Sequence, residues 1–193
     1  MDELKIIELC LLGKTQYFSR LIDNYQHMIF NLAYRMSNNL QEAEDIAQET
    51  FIKAFQHLNH FNPNYKFSTW LYQIALNIMR DKFKKKEIHP YSLDTPKEGA
   101  DTESLPPEPA DHTHNPECIL TQKEETELIQ RAINALPLKY KEVIILRHIQ
   151  DLSYLEIARI LKLPESTVKI RLFRAREQLK QEIEKEGRGC FFD

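Results

Sequence analysis

Glycine is scarce in this chain, with four residues in 193. Sheets with many tight turns need residues that tolerate positive φ. So few glycines, beside long periodic apolar stretches, argue for helices. Cysteine is rarer still. Cys10, Cys118 and Cys190 are odd in number and scattered, which excludes a disulfide framework and makes a reducing cytoplasm the expected home. No apolar run approaches the ~18 residues of a membrane span, and the opening MDELKIIELC lacks a basic region followed by an apolar core. A membrane-embedded chain is therefore not expected. Also missing are a glycine-rich phosphate loop, a nucleophile–base pair at a recognisable spacing and a full set of metal ligands. His112, His114 and Cys118 form an H-x-H-x-x-x-C run without a fourth partner, and His57 and His60 read as surface residues. No catalytic residue, metal or cofactor is expected.

What is present centres on Ser153–Leu179, SYLEIARILKLPESTVKIRLFRAREQL. Ser153 is a good N-cap, and Glu156 three residues on completes a capping box. Leu155, Ala158 and Leu161 form a buried stripe for a short helix. Lys162-Leu163-Pro164 breaks it, since proline removes a donor and disfavours helical angles at Leu163. Ser166 or Thr167 can restart the chain, and Val168, Leu172, Ala175 and Leu179 recur at helical spacing. Lys169, Arg171, Arg174 and Arg176 then fall largely off the seam. Apolar packing behind, cations in front and a three-residue turn describe a helix-turn-helix whose second helix reads DNA's major groove. A helical hairpin with a solvated basic face fits this stretch taken alone.

The formal charge of −3 hides a partition. Residues 87–120 carry eight acids against one base, Lys97, for a net −7, so 1–86 and 121–193 are each +2. The acidic stretch also holds six of the nine prolines and few large apolar groups, and is expected to be a flexible linker. As a coil it spans roughly 30–35 Å, and over ~100 Å when pulled straight. That is enough to separate two DNA-reading modules by more than one duplex turn of ~34–36 Å.

Residues 1–86 read as helical throughout. Leu4, Ile7, Leu11 and Leu12 give a first apolar set, and Phe18, Leu21, Ile22, Tyr25, Ile29, Leu32, Ala33 and Met36 a second stripe. After a break at Ser37-Asn38-Asn39, a third helix starts near Gln41. It turns Ile46, Phe51, Ala54, Phe55 and Leu58 inward, and Glu42, Glu44, Asp45, Gln48, Glu49 and Lys53 elsewhere. Its acids crowd the first turns, where the helix dipole also favours them. Asn62–Lys66 is a loop, and a fourth helix follows, capped by Ser68 or Thr69, with Phe67 and Leu71 in the core. Aromatics interleaved with Lys66, Arg80 and the Lys84–Lys86 run are what single-strand binding requires, stacking for bases and cations for phosphates. Beyond Thr121, Leu128, Ile129, Ala132, Ile133 and Leu136 form a stripe that Pro137 ends. Tyr140, Val143, Ile144 and Leu146 lead into the helix-turn-helix.

Taken together, EAEDIAQETFIKAF, FSTWLYQIALN and LSYLEIARILKLPESTVKIRLFRAREQL resemble bacterial RNA polymerase sigma factors of the extracytoplasmic-function group (group 4 of the sigma-70 family), close to the subgroup typified by sigma-W. The resemblance covers nearly the whole chain apart from the linker and tail. It implies an all-α protein of two small helical domains: domain 2 over 1–86, the acidic linker over 87–120, domain 4 over 121–185, and a tail over 186–193. Asp45, Gln48, Glu49, Phe51 and Ile52 match the surface that docks on the clamp helices of core polymerase. Asn62, Asn64, Tyr65 and Lys66 match the loop that captures a flipped base of the −10 element, and Trp70, Tyr72, Asn77, Arg80 and Lys84 match the helix beside the melted strand. Ser166, Thr167, Lys169, Ile170, Arg171, Phe173 and Arg174 match the helix that reads the −35 duplex. The partners so implied are core RNA polymerase (clamp helices and flap), promoter DNA and an anti-sigma factor. The free chain is expected to be a monomer, with the linker threading the polymerase cleft. Two departures stand out. Lys162 occupies a turn position where many such motifs have glycine, and NPNYK carries family-variable residues, so no promoter sequence follows. A free-standing helix-turn-helix regulator is the competing reading. It needs a dimer interface and a sensing domain, and leaves the polymerase-docking residues unexplained.

Overall fold

The structure, a computed structural model, describes residues 2–88 and 116–189, with side chains over 2–85 and 126–185. Residues 89–115 of the acidic Pro-rich stretch, His112 and His114 among them, and the last four residues of the GRGCFFD tail lie outside the described residues. Among the described residues all regular structure is helical. Helices α1 (Glu3–Leu11), α2 (Phe18–Ser37), α3 (Leu40–Gln56) and α4 (Phe67–Ile88) form one bundle. Helices α5 (Pro116–Ala135), α6 (Leu138–Ile144), α7 (Tyr154–Leu161) and α8 (Glu165–Gly189) form a second. Helix thus enters both ends of the stretch expected to be linker, to Ile88 and from Pro116, and α8 continues four residues beyond the expected boundary at 185.

In the first bundle α2 packs on α3 and α4, with α1 across α2. The α2–α3 corner is made by two asparagines. Asn38 closes α2 in the left-handed region at φ 54°, where asparagine is tolerated, and its N–H donates to the Tyr34 carbonyl. Asn39 opens α3, its side-chain oxygen accepting from the Glu42 N–H at 2.9 Å. Leu21, Ile29, Leu32, Ala33 and Met36 are sealed against Ala43, Ile46 and Ala54 and against Phe67, Leu71 and Met79 of α4. The hydroxyl of Thr50, fully buried there, is satisfied by donating to the Ile46 carbonyl.

Several expected faces are rotated. On α1 the buried residues are Ile6, Ile7 and Cys10, while Leu4, Leu11 and Leu12 are exposed. Phe55 of α3 is exposed rather than inward. Neither Ser68 nor Thr69 caps α4. The helix starts at Phe67, and the Thr69 and Trp70 N–H groups bond the Lys66 carbonyl. On α5, Ile129 faces out and Gln130 faces in. Leu155 is half exposed, and α7 instead buries Ile157, Ala158, Ile160 and Leu161.

The second bundle is built around α8, which contacts α5, α6 and α7. Pro137 heads α6, whose last turn widens into a π-type turn over Ile145–Ile149. The two bundles also touch each other, α4 lying against α7 and α2 against the Ile145–Ile149 turn.

Candidate nucleic-acid and partner interfaces

The first candidate surface is an open groove of ≈1140 Å³ between α2 and α3. Its floor is apolar, with Phe18 and Phe55 edge to face at 5.0 Å between ring centroids, and Ile22, Phe30, Phe51 and Ile52 around them. Ile52 is 57% exposed and Phe55 42%, large apolar side chains left in water on a packed helix. Of the residues expected to dock a partner, Gln48, Phe51 and Ile52 line this groove. Asp45 lies outside the lining, held by Gln41 at 3.5 Å. Glu49 pairs with Lys53 at 2.8 Å and Lys82 at 3.7 Å, and the Lys53 hydrogen bond, more than any other cause, holds its carboxyl below the usual range. The α2 wall was not expected as part of the site. Phe18 and Ile22 read simply as core, although Ile22 and Phe30 lie eight residues apart on one face.

The second surface is the Asn62–Lys66 loop and the outer side of α4. Asn62 builds the loop, its side-chain oxygen accepting from the Asn64 N–H at 3.0 Å and its carbonyl from the Tyr65 N–H at 3.1 Å. Pro63 sits at the second position of this turn, where its fixed φ is favoured. Behind the loop, Phe61, Phe67 and Trp70 pack ring on ring at 5.4–5.5 Å, which leaves Trp70 half-buried. Asn64, Tyr65, Lys66, Asn77 and Lys84 are exposed.

Tyr72 is buried, and Arg80 is turned onto the second bundle. Tyr72 is 3% exposed and donates to Gln150 Oε1 at 2.8 Å; burial pushes its phenol pKa up. Arg80 grips Glu142 of α6 with two hydrogen bonds, 2.6 and 2.9 Å, and these raise its pKa. Lys66 pairs with Glu156 of α7 at 2.7 Å, Gln73 donates to the Arg159 carbonyl at 2.9 Å, and the Arg159 guanidinium lies over the Tyr65 ring. The Lys66 hydrogen bond and two more from Ser153 hold Glu156 down at about 2. At the far edge of this contact Arg35 and Gln130 exchange hydrogen bonds, and Lys141 donates to Asn134 at 2.7 Å, burial lowering its pKa to about 8. Of the expected strand-binding residues of α4, Tyr72 and Arg80 are thus engaged by the second bundle, while Asn77 and Lys84 stay exposed.

The third surface is α7 and α8. Ser153 accepts from the Glu156 N–H while Glu156 accepts from the Ser153 N–H, so the expected capping box is formed. Lys162, at the turn position where many such motifs have glycine, adopts φ 55° in the left-handed region. Leu163 N–H bonds the Ala158 carbonyl and Lys162 N–H the Arg159 carbonyl, the paired bonds of a Schellman ending. The Pro164 carbonyl accepts from Thr167 and Val168, so α8 starts at Glu165, earlier than Ser166 or Thr167. Val168, Leu172 and Ala175 are buried. Ser166, Lys169, Ile170, Phe173 and Arg174 make the opposite, exposed face, with Thr167 and Arg171 half-buried at its margins. Ile170 is 53% exposed and Phe173 67%. Basic and apolar groups together on an open helix face suit a groove that offers acceptors, phosphates and thymine methyls.

No cluster that could hold a metal occurs among the described residues, and no described helix is long and apolar enough to cross a membrane. The chain matches the family descriptions "Sigma-70 region 2" over residues 21–87 and "Sigma-70, region 4" over 126–179. It is 40% identical over 171 residues to the ECF RNA polymerase sigma factor SigW of Bacillus subtilis, covering 89% of this chain and 91% of that protein. It is 32% identical to the RNA polymerase sigma-H factor of Pseudomonas aeruginosa, with 93% of each covered. Among solved structures it superposes on CnrH, determined with the cytosolic domain of CnrY, at TM-score 0.66 and 22% identity, over 93% of this chain and 96% of that one. It also superposes on RpoE of Bartonella quintana, determined with the anti-sigma factor NepR, at 0.64 and 23% identity, over 86% and 96%. These two likenesses are of fold.

Proposed function

The chain belongs to the extracytoplasmic-function sigma factors of the sigma-70 family, and we propose from that premise how its surfaces divide the work of transcription initiation. The α2–α3 groove takes the clamp helices of core RNA polymerase, with Gln48, Phe51 and Ile52 on one wall, Phe18 and Ile22 on the other, and Asp45 and Glu49 at its margin. Asn64, Tyr65 and Lys66 of the loop, shaped by Asn62, receive the −10 strand. Trp70, Tyr72, Asn77, Arg80 and Lys84 line its path along α4. Extruding a base costs a few kcal/mol, which stacking and a shaped pocket offset. Ser166, Thr167, Lys169, Ile170, Arg171, Phe173 and Arg174 read the −35 duplex. Chemistry belongs to the polymerase, and this chain supplies promoter choice. An anti-sigma factor holds it inactive, as expected of a relative of sigma factors determined with such partners.

The observation that carries this reading is the pairing, in one chain, of an apolar docking groove on α2–α3 with a basic and apolar reading face on α8. Runoff transcription from a promoter library, with core polymerase in the presence and absence of the chain, tests it. Transcripts that start at defined sites only in its presence are expected. Their absence, together with tight binding of a dimer to duplex DNA without polymerase, would point instead to a free-standing regulator.

A further inference from the structure

We propose that Ile170 and Phe173 read thymine in the −35 duplex through its C5-methyl group, so that part of the promoter choice rests on apolar contact rather than on hydrogen bonds. The proposal rests on the assignment of α8 as the helix that enters the major groove. Phe173 is 67% exposed and Ile170 53%, on a helix whose other side already buries Val168, Leu172 and Ala175. Neither residue therefore supports the core, and Phe173 is more exposed than Tyr65 or Phe55. Ile170, Phe173 and Arg174 stand at i, i+3 and i+4, so their side chains are neighbours on one face. Ile170 and Phe173 lie about 4.5 Å apart along the helix axis, close to the ~3.4 Å of one base step. Two adjacent base pairs are within their reach.

In the major groove thymine alone offers a methyl group, and the other bases present donors and acceptors. Against Ile170 and Phe173 those polar edges lose water and gain no partner, which costs affinity. The surroundings of the pair suit a charged groove. Arg174 is exposed beside it and Arg171 stands at the margin, cations for phosphates or guanine edges. Lys169 is drawn back towards the start of α8 by Glu165 at 2.8 Å, which leaves the centre of the face apolar. Isoleucine is stiff at its first torsion in a helix, and an aromatic ring has only two torsions to fix. Ordering this pair against a methyl group therefore costs less than ordering a long polar side chain against a base edge.

The test uses the full chain assembled with core polymerase, and promoter templates in which deoxyuridine replaces each thymidine of the −35 element in turn, removing only the methyl group. The readout is the rate of runoff initiation at subsaturating polymerase. The wild type is expected to lose about fourfold at one or two neighbouring positions, the factor equivalent to burying one methyl group. Ile170→Ala and Phe173→Ala are each expected to initiate more slowly on the thymine template and to lose the preference for thymine at one of those positions. Arg174→Ala is expected to slow initiation yet keep that preference. Circular dichroism reports whether each variant is folded. Deoxyuridine templates that all initiate at the thymine rate, variants at Ile170 and Phe173 that both keep the full preference, or a −35 element without thymine would overturn the proposal and leave the sigma assignment standing. No start at a defined site on the unsubstituted template would overturn the assignment itself, and the proposal with it.

Discussion

Arg80 on α4 and Glu142 on α6 form a bidentate pair across the two bundles, Nε to Oε1 at 2.6 Å and NH2 to Oε2 at 2.9 Å. The partners are unequally placed, with the Arg80 side chain 31% exposed and that of Glu142 3%. Truncating Glu142 leaves a guanidinium that water can reach. Truncating Arg80 leaves a carboxylate sealed from water, and an uncompensated buried charge costs about 3–5 kcal/mol unless the seam opens to hydrate it. Arg80→Ala is therefore expected to loosen the α4–α6 seam more than Glu142→Ala, read as faster amide exchange along α6. Equal exchange in the two variants would show that burial of Glu142 does not govern the seam.

Lys162 holds the left-handed corner between α7 and α8 at φ 55°. A side chain there costs roughly 1–2 kcal/mol, part of which glycine forfeits through its freer unfolded chain. Lys162→Gly is expected to stabilise the second bundle by roughly 0.5–1 kcal/mol, seen as a raised thermal midpoint. A lowered midpoint would mean that the Schellman bonds hold lysine there without strain.

Glu156 carries the clearest pH signature. Its folded pKa, about 2, lies below the ordinary 4.5, chiefly through Lys66 and then Ser153. A carboxylate with a depressed folded pKa contributes stability that is fully present above its unfolded pKa and is lost as pH falls towards the folded one. Between pH 4.5 and about 2 the wild type should therefore lose stability that Glu156→Gln does not lose. Denaturant midpoints measured across that window check it, and parallel curves for the two proteins would rule Glu156 out.

Local signals in the chain were legible, and long-range ones were not. The Ser153–Glu156 box and the Val168–Leu172–Ala175 seam depend on residues within a few positions of each other, so spacing reveals them. Leu155 and Ile129 fall at helical spacing with apolar neighbours, yet both are exposed. Which side of a short helix is buried is settled by what packs on it, and here α7 turns Ile157 and Ile160 inward instead. Tyr72 and Arg80 fit a DNA-facing role by motif. Their partners Gln150 and Glu142 lie 78 and 62 residues away, and no spacing announces such a pairing. The groove was half visible for the same reason: α3 carried its signal, while Phe18 and Ile22 on the α2 wall look like ordinary core.

On α8, Arg174 stands fully on the exposed face and Arg171 at its margin. A bidentate contact from arginine to a base is worth ~1–3 kcal/mol of discrimination, whereas a phosphate contact weakens all sequences alike and lowers the salt dependence. Arg174→Ala is expected to lose ~1–3 kcal/mol on a matched −35 duplex and little on a scrambled one. Arg171→Ala, set at the margin, is expected to act more evenly and to reduce the salt slope by about one. Normal transcription from a matched promoter by both variants would remove the reading role from this helix.

The groove separates docking from stability. Ile52 is 57% exposed, so Ile52→Asp removes no core packing and is expected to leave the unfolding midpoint within about 0.5 kcal/mol of wild type. Phe51, one residue earlier, is 6% exposed, and Phe51→Ala should cost about 3–5 kcal/mol through lost burial and the cavity left behind. If the groove seats core polymerase, Ile52→Asp places a charge in the middle of an apolar contact that gives it no partner. The variant should then remain folded yet lose most of its affinity for core, measured by competition with a labelled wild-type chain. A folded Ile52→Asp that competes as well as wild type would move the docking surface away from α2 and α3. That result would return Asp45 and Glu49, at the groove's margin, to the front of the search.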